Sequence, residues 1–209
     1  MGGVMAPAQL HLSFNIAPTH QAFVIANDRP HSLQPMLWGL VPHWSNDGTA
    51  SGKLINARAE GIEEKPSFRE PIRRRRCVVP ADSFYEWRTE PGRRKVPYRI
   101  LSKSGRLLMM AGIWDEWGHG ASRLRSFSII TTGANREVSG LHDRMPLLLD
   151  EAACRHWLEP LMLEEVLEML VAPQADDQLQ MYRVSEKLNY AGYEGADLHD
   201  PVQEDPTLF

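Results

Sequence analysis

The sequence has few cysteines and no recognisable metal-binding spacing. Only 2 of 209 residues are cysteine, and Cys77 and Cys154 lie far apart in a chain without an export signal. A disulfide framework is therefore not expected, and both residues are interpreted as small buried hydrophobic residues. The 8 histidines show no His-x-x-x-His pair with a nearby carboxylate. We therefore expect neither a metal site nor another cofactor.

Long apolar runs are also missing. No stretch of about 18 uncharged apolar residues occurs, so we expect neither a membrane span nor a membrane partner. The first seven residues lack the basic flank and apolar centre of a signal peptide, which predicts a cytoplasmic protein. The length favours a monomer with one domain over residues 1–209. Its acidic, proline-containing stretch 195–209 is expected to be flexible.

Charge is small in total but unevenly distributed. The net charge is −4, yet residues 69–106 contain 12 Lys or Arg against 4 Asp or Glu, a local balance of +8. From residue 150 onward, 14 acidic residues oppose 3 basic ones. Such polarity lets one surface attract phosphates on an acidic protein. The four arginines at 73–76 are either part of such a surface or a solvated loop.

Short apolar runs separated by Gly, Pro, Asn and Asp predict a strand-rich fold. Strands are predicted at residues 22–26, 36–40, 77–87, 97–101, 107–113 and 127–132. Hairpin loops are predicted at 90–92 and 103–105. Helices are predicted at 150–159 and 161–170, with a shorter one within 61–72. The expected fold class is α+β: a strand-rich single domain with a mixed, barrel-like sheet and peripheral helices.

Glu86 is the least expected polar residue, because it lies in the apolar, aromatic run 78–87. Strand alternation places it on one face with Phe84, flanked by two large rings. Burial of a carboxylate raises its pKa toward the range useful for proton transfer. The alternative is an edge strand on which Glu86 points to water.

Asn56, Arg58 and Glu60 alternate along a second predicted strand and share one face. An arginine at such a position can bind phosphate or carboxylate bidentately, and an asparagine can orient a carbonyl or hydroxyl. The alternative is an exposed face with an ion pair between Arg58 and Glu60.

His142, Asp143 and Arg144 follow one another in a turn-like segment. Histidine exchanges protons near neutral pH, and loops on a rigid sheet commonly carry such groups. A structural His142 bonded to a backbone carbonyl is the alternative.

Trp38 and Trp44 flank a proline turn. An exposed indole can stack on an unpaired base, with about 1–3 kcal/mol per base. Buried tryptophans are more common, so we expect only one of the two at a stacking surface.

Together these segments resemble the SOS-response-associated peptidase family, the abasic-site processing proteins. The resemblance extends over nearly the whole chain in one order. It rests on residues 14–18, 38–42, 56–60, 80–87, 142–146 and 184–185.

The resemblance implies a function in DNA damage. Members of the family shield abasic sites in single-stranded DNA by a covalent link, in which an N-terminal cysteine captures the sugar aldehyde as a thiazolidine. The family is classed as peptidase or hydrolase because it removes residues before that cysteine, and its chemistry is also lyase-like. Asn56 would position the terminal residue, while Glu86 and His142 would transfer protons. Arg58 would hold DNA phosphate, and we expect Trp38, Trp44 and Arg144 beside it.

The chain departs from the family at its start. The family opens Met-Cys-Gly-Arg, whereas this chain opens Met1-Gly2-Gly3-Val4. A truncated or misassigned start is favoured over a shortened form or a natural variant without the nucleophile. With Met1 removed, the amine of Gly2 could form an imine with an abasic aldehyde but no thiazolidine, and β-elimination would be chemically open to it.

Two other functions stay open on the sequence. The first is a non-catalytic single-stranded DNA-binding module that uses residues 73–76. The second is an amide hydrolase with Cys77 or a serine as nucleophile beside His142 and Glu86.

Overall fold

The computed structural model describes residues 4–6, 12–49 and 52–202. Within these ranges the chain forms ten strands and four α-helices. The strands are β1 (Gln21–Ala26), β2 (Leu33–Trp38), β3 (Asn56–Arg58), β4 (Arg76–Ala81), β5 (Ser83–Thr89), β6 (Lys95–Ser102), β7 (Leu108–Trp117), β8 (Leu124–Gly133), β9 (Arg144–Pro146) and β10 (Leu179–Arg183). The helices are α1 (Arg69–Arg74), α2 (Arg136–Ser139), α3 (Glu151–Trp157) and α4 (Leu163–Val171). Short 3-10 turns occur at Ile62–Glu64, Pro91–Arg93, Gly120–Ser122, Glu186–Asn189 and Ala196–His199.

The larger sheet closes on itself. Its order is β2-β1-β4-β7-β8, and a parallel pairing of β2 with β8 completes a five-stranded barrel. Strand β3 runs parallel to β8 along one edge, and β9 runs antiparallel along the other. The predicted α+β fold with a mixed, barrel-like sheet is confirmed.

A smaller antiparallel sheet has the order β10-β6-β5. Strands β5 and β6 form a hairpin whose loop includes residues 90–92, as predicted. The hairpin predicted at 103–105 is wrong, because β6 and β7 pair in different sheets. The single strand predicted over 77–87 is likewise two strands, β4 and β5, which separate at Asp82. The chain therefore crosses between the sheets at these two polar turns, and it crosses a third time between β9 and β10, through α3 and α4.

Alternation along the barrel strands divides their side chains between two apolar clusters. One face packs Val24, Cys77, Val79, Trp114 and Phe127 together. The other face, with Ile25, Val78 and Ile113, is covered by residues of the helices such as Trp157 and Val166. A third cluster joins the two sheets: Phe84 and Ile100 of the smaller sheet meet Leu108 and Met145 of the larger one.

The predicted late helices are confirmed with shifted ends. Asp150 caps α3, where its side chain accepts a hydrogen bond from the Ala153 N–H at 2.8 Å. Trp157 at the end of α3 is fully buried and donates its indole N–H to the Cys77 carbonyl at 3.0 Å. The short helix predicted within 61–72 consists of a 3-10 turn followed by α1.

The described part of the acidic C-terminal stretch packs against the smaller sheet. Leu198 is fully buried, and the Val202 N–H donates to the Arg183 carbonyl at 2.9 Å. The rest of the predicted flexible stretch, residues 203–209, lies outside the described residues. Among the helices that the structure describes, none is long and apolar enough to cross a membrane.

Candidate functional site

Glu86 lies on an edge strand but is half-buried. Opposite it on β6 is Tyr98, and Phe84 on the same face packs into the cluster that joins the sheets. Tyr85 and Trp87 point the other way, into a separate cluster beneath the C-terminal segment. The predicted alternation is therefore confirmed, and the Glu86 carboxylate faces the junction of the sheets.

The environment of Glu86 favours its protonated form. Burial raises the pKa of this carboxyl group above its ordinary value, while the positive charge of His142 and a hydrogen bond from the Trp87 backbone lower the pKa and partly oppose the effect. No arginine or lysine forms an ion pair with Glu86 in the described part of the chain. A carboxyl group with a raised pKa and no ion-pair partner is suited to accept and return a proton.

His142 occupies the turn between α2 and β9, and its side chain is 40% exposed. Its Nδ1 lies 3.0 Å from the backbone N and 3.1 Å from the carbonyl O of Arg144. A neutral Nδ1 can accept from that N–H, and a protonated Nδ1 can donate to that carbonyl. The ring therefore keeps one orientation in both protonation states. Its Nε2 has no hydrogen-bond partner among the described residues.

Arg144 is held by Glu60 rather than left open. Its two terminal nitrogens lie 2.7 and 2.8 Å from the two Glu60 carboxylate oxygens, and one of them also donates to the Thr131 carbonyl. The alternative of an ion pair between Arg58 and Glu60 is therefore wrong, although the charge of Arg58 helps to lower the pKa of Glu60, after Arg144.

Strand β8 brings the predicted residues into one region. On one edge Asn56 pairs with Ile129 and Arg58 with Thr131, and on the other edge Arg144 pairs with Gly133. Asn56 and Arg58 are both exposed. Arg58 has no hydrogen-bond or ion-pair partner within the described ranges. Its guanidinium is therefore available to an anionic ligand.

The two tryptophans differ in exposure. Trp38 is half-buried, donates its indole N–H to the Ile55 carbonyl at 2.9 Å and packs against the barrel cluster. Trp44 is 56% exposed. Only Trp44 therefore offers an open ring for stacking.

Beside His43, the residue before Trp44, lies a buried carboxylate that the sequence reasoning missed. Asp115 is 1% exposed and accepts hydrogen bonds from the His43 backbone N–H at 2.9 Å and from the Glu116 N–H at 2.8 Å. It also lies 3.0 Å from His43 Nδ1 and forms an ion pair with Arg75. A charged residue within a long apolar strand could have indicated this site. It was missed because the predicted strand ended at residue 113, before Asp115.

Residues 73–76 do not form one basic surface. Arg76 is 1% exposed and donates to four backbone carbonyls, those of Ile72, Arg73, Trp157 and Glu159. Arg75 is committed to Asp115. Only Arg73 and Arg74 are exposed, so half of the predicted cluster stabilises the fold. A binding module built on four arginines is not supported.

The cysteines do not offer a nucleophile. Cys77 is fully buried, and burial raises the pKa of its thiol far above the ordinary value. Burial raises the pKa of Cys154 to about 12. A buried, protonated thiol is inert toward an amide, so Cys77 is excluded as the nucleophile of an amide hydrolase. No group of three His, Cys, Asp or Glu side chains that could hold a metal occurs in the described ranges.

Comparisons with known proteins agree with the resemblance found in the sequence. The model of the family described as SOS response associated peptidase (SRAP) matches residues 3–191. The Abasic site processing protein YoqW of Bacillus subtilis is 39% identical over 184 residues, which cover 87% of this chain and 82% of the relative. The mouse Abasic site processing protein HMCES is 39% identical over 165 residues, or 64% of this chain and 47% of the relative.

A solved structure extends the agreement to the fold. A protein of Bacteroides thetaiotaomicron superposes with a TM-score of 0.79 at 31% sequence identity, covering 88% of this chain and 82% of the other. A Bordetella bronchiseptica protein has the same fold, with a TM-score of 0.77 at 23% identity. Because the family model covers most of the sequence and the relatives span most of the chain, the chain belongs to the SOS response associated peptidase family.

Proposed function

We propose that the protein processes abasic sites in single-stranded DNA, with Glu86 and His142 as its proton-transfer groups. The relatives named abasic site processing proteins support the reaction. The observation that carries the assignment to this site is the half-buried Glu86. Burial raises the pKa of its carboxyl group, and the charge of His142 is the largest of the effects that lower this pKa.

The chemistry needs both the gain and the loss of a proton. A ring-opened abasic sugar presents an aldehyde, and an amine that attacks its carbon forms a carbinolamine that must lose water to become an imine. Glu86 can take the proton that the attacking nitrogen loses and return it to the departing hydroxyl, while the Nε2–H of His142 donates to the aldehyde oxygen as that oxygen becomes the hydroxyl. The same two groups can assist β-elimination or reversal of the link.

The nucleophile is proposed on chemical grounds alone. An α-amino group titrates at about 7.7–8.0, so part of it is uncharged at neutral pH and can attack the aldehyde. An amine alone forms a reversible imine, whereas an amine with a thiol on the same residue can close a thiazolidine.

The remaining predicted residues would hold the strand. Arg58, exposed and unpaired in the described structure, would bind a phosphate, and Asn56 two residues earlier would orient the terminal residue. Trp44 would stack on an unpaired base. Trp38 and Arg144 would contribute from half-buried positions, where both already hydrogen-bond to the protein.

The test uses a single-stranded oligonucleotide with one abasic site, with and without borohydride, resolved on a denaturing gel. The wild-type protein is expected to give an adduct with borohydride, because reduction traps an imine. Glu86→Gln should slow trapping about 100-fold without changing affinity for intact single-stranded DNA. Glu90→Gln, in the same hairpin, is the matched control.

Two outcomes would contradict the proposal. If wild-type protein neither traps nor cleaves abasic DNA, or if Glu86→Gln traps it at the wild-type rate, Glu86 has no such role.

A further inference from the structure

We propose that Glu60 is a positioning residue for His142 and acts through Arg144. This inference deepens the proposed function, since the imidazole that it orients is the proposed proton-transfer group. Glu60 lies on the segment after β3 and His142 lies before β9, so the two come from opposite edges of β8. Arg144 links them through two different parts of its structure, its side chain and its main chain.

The side chain of Arg144 is immobilised mainly by Glu60. Two parallel N–H···O bonds of 2.7 and 2.8 Å fix both the distance and the plane of the guanidinium. The Arg144 side chain is only 20% exposed, whereas that of Glu60 is 62% exposed. The Nε of Arg144 is buried without a hydrogen-bond partner in the described structure. Loss of the Glu60 charge would leave a largely buried cation held only by Thr131.

The main chain of Arg144 orients His142. The hydrogen bonds to the imidazole within the described residues involve the N–H and carbonyl of Arg144, at 3.0 and 3.1 Å from Nδ1. Nδ1 also lies 3.3 Å from the exposed Asp143 carboxylate. A shift of the Arg144 backbone would therefore remove both backbone hydrogen bonds and leave the ring only the contact with Asp143. The orientation matters because it decides which nitrogen of the neutral ring carries the proton. With Nδ1 as acceptor, the proton lies on Nε2, which faces away from Arg144.

Glu64 provides the matched control. It lies four residues after Glu60 and is exposed, and its side chain forms no hydrogen bond or ion pair in the part of the chain that the structure describes. Glu64→Gln removes the same charge from the same neighbourhood without touching Arg144. Any difference between the two variants therefore reports the Glu60–Arg144 contact and not the general electrostatic field.

The experiment records the imidazole nitrogens of the DNA-free protein by proton–nitrogen NMR at about pH 8, where imidazoles are mostly neutral. Wild type and Glu64→Gln should show His142 with its proton on Nε2, and Glu60→Gln should show a mixture of the two tautomers. Glu60→Asp, which keeps the charge, should restore the wild-type tautomer. In the abasic-site assay Glu60→Gln should lower the trapping rate about tenfold, with DNA affinity unchanged.

The two proposals can fail separately. An unchanged His142 tautomer in Glu60→Gln, at wild-type melting temperature, overturns the positioning role whatever the DNA assay shows. An altered tautomer supports it even if the wild-type protein does not react with abasic DNA, in which case only the proposed function fails.

Discussion

Two regions of the molecule pair a histidine with a largely buried carboxylate, and they do so to different ends. At one end of β8, Asp115 meets His43 but is also bound by Arg75 and two backbone N–H groups. At the other end, the charge of His142 acts on Glu86, but Glu86 has no ion-pair partner within the described ranges, and burial raises its pKa. The two carboxylates therefore differ in whether a positively charged side chain is bound to them.

That difference separates a structural acid from a reactive one. A carboxylate that is already neutralised by a guanidinium and by N–H donors stays ionised and fixes the chain around it. A carboxylate that is desolvated without such partners holds its proton more readily and can exchange it. Proximity of an acid to a histidine is therefore a weak indication of catalysis until the other partners of the acid are known.

The largest expected effect is on the Asp115 side. Asp115→Asn should lower the free energy of unfolding by about 3 kcal/mol, because it leaves Arg75 without its counter-charge. Urea unfolding followed by tryptophan fluorescence measures the change. Asp143→Asn, at a residue that is 88% exposed beside His142, should change stability by less than about 0.5 kcal/mol. Equal losses in the two variants would remove the distinction between the regions.

The next effect concerns Trp44, which directly follows the Asp115 partner His43. Trp44→Ala should weaken binding of single-stranded DNA by about 2 kcal/mol, because stacking of a base on the open ring is lost. Fluorescence anisotropy with a labelled oligonucleotide measures it. Trp38→Phe, which removes the hydrogen bond to Ile55, should instead lower stability more than affinity. Unchanged affinity in Trp44→Ala would show that this end of the molecule takes no part in DNA binding.

A smaller effect is expected in the pH dependence of stability on the Glu86 side. The native state holds the Glu86 proton more tightly than the unfolded chain, whose pKa is near 4.5. The contribution of Glu86 to stability is therefore fully present below that pH and is lost as pH rises through the raised native pKa. Glu86→Gln lacks this loss, so its stability relative to wild type should rise with pH in that window. Urea unfolding of both proteins between about pH 4 and pH 8 measures the trend; a relative stability that falls with pH would mean that Glu86 is stabilised as an anion.

The smallest expected effect is on the salt dependence of DNA binding. Arg58→Ala should reduce the slope of log affinity against log salt by about one phosphate contact. Arg76→Lys should leave the slope unchanged, because Arg76 is buried and donates only to backbone carbonyls. The measurement is a binding titration at four salt concentrations. An equal loss of slope in both variants would contradict the assignment of Arg58 to phosphate.

Much of the fold followed from local pattern. The strand alternation around Glu86, the Asp150 cap and the barrel-like mixed sheet depend on periodicity and turn chemistry, which the sequence carries directly. The change of sheet at residues 103–105 could not be predicted in this way. A turn signal predicts that the chain reverses its direction, but it does not predict with which strand the next segment pairs. The partner of Glu60 was also missed. Arg58 is two residues away in sequence, whereas Arg144 reaches Glu60 across β8, a long-range pairing that one sequence does not encode locally.

The crossings of the chain between the sheets have a kinetic consequence. Three covalent connections and a shared apolar cluster tie the smaller sheet, which carries Glu86, to the barrel, whose edge strand β3 carries Asn56 and Arg58. Such a junction resists opening as a hinge, so we expect the acid and these residues to keep their separation when no DNA is bound. Little reorganisation then separates encounter from reaction, and association with the DNA strand should be a single kinetic phase.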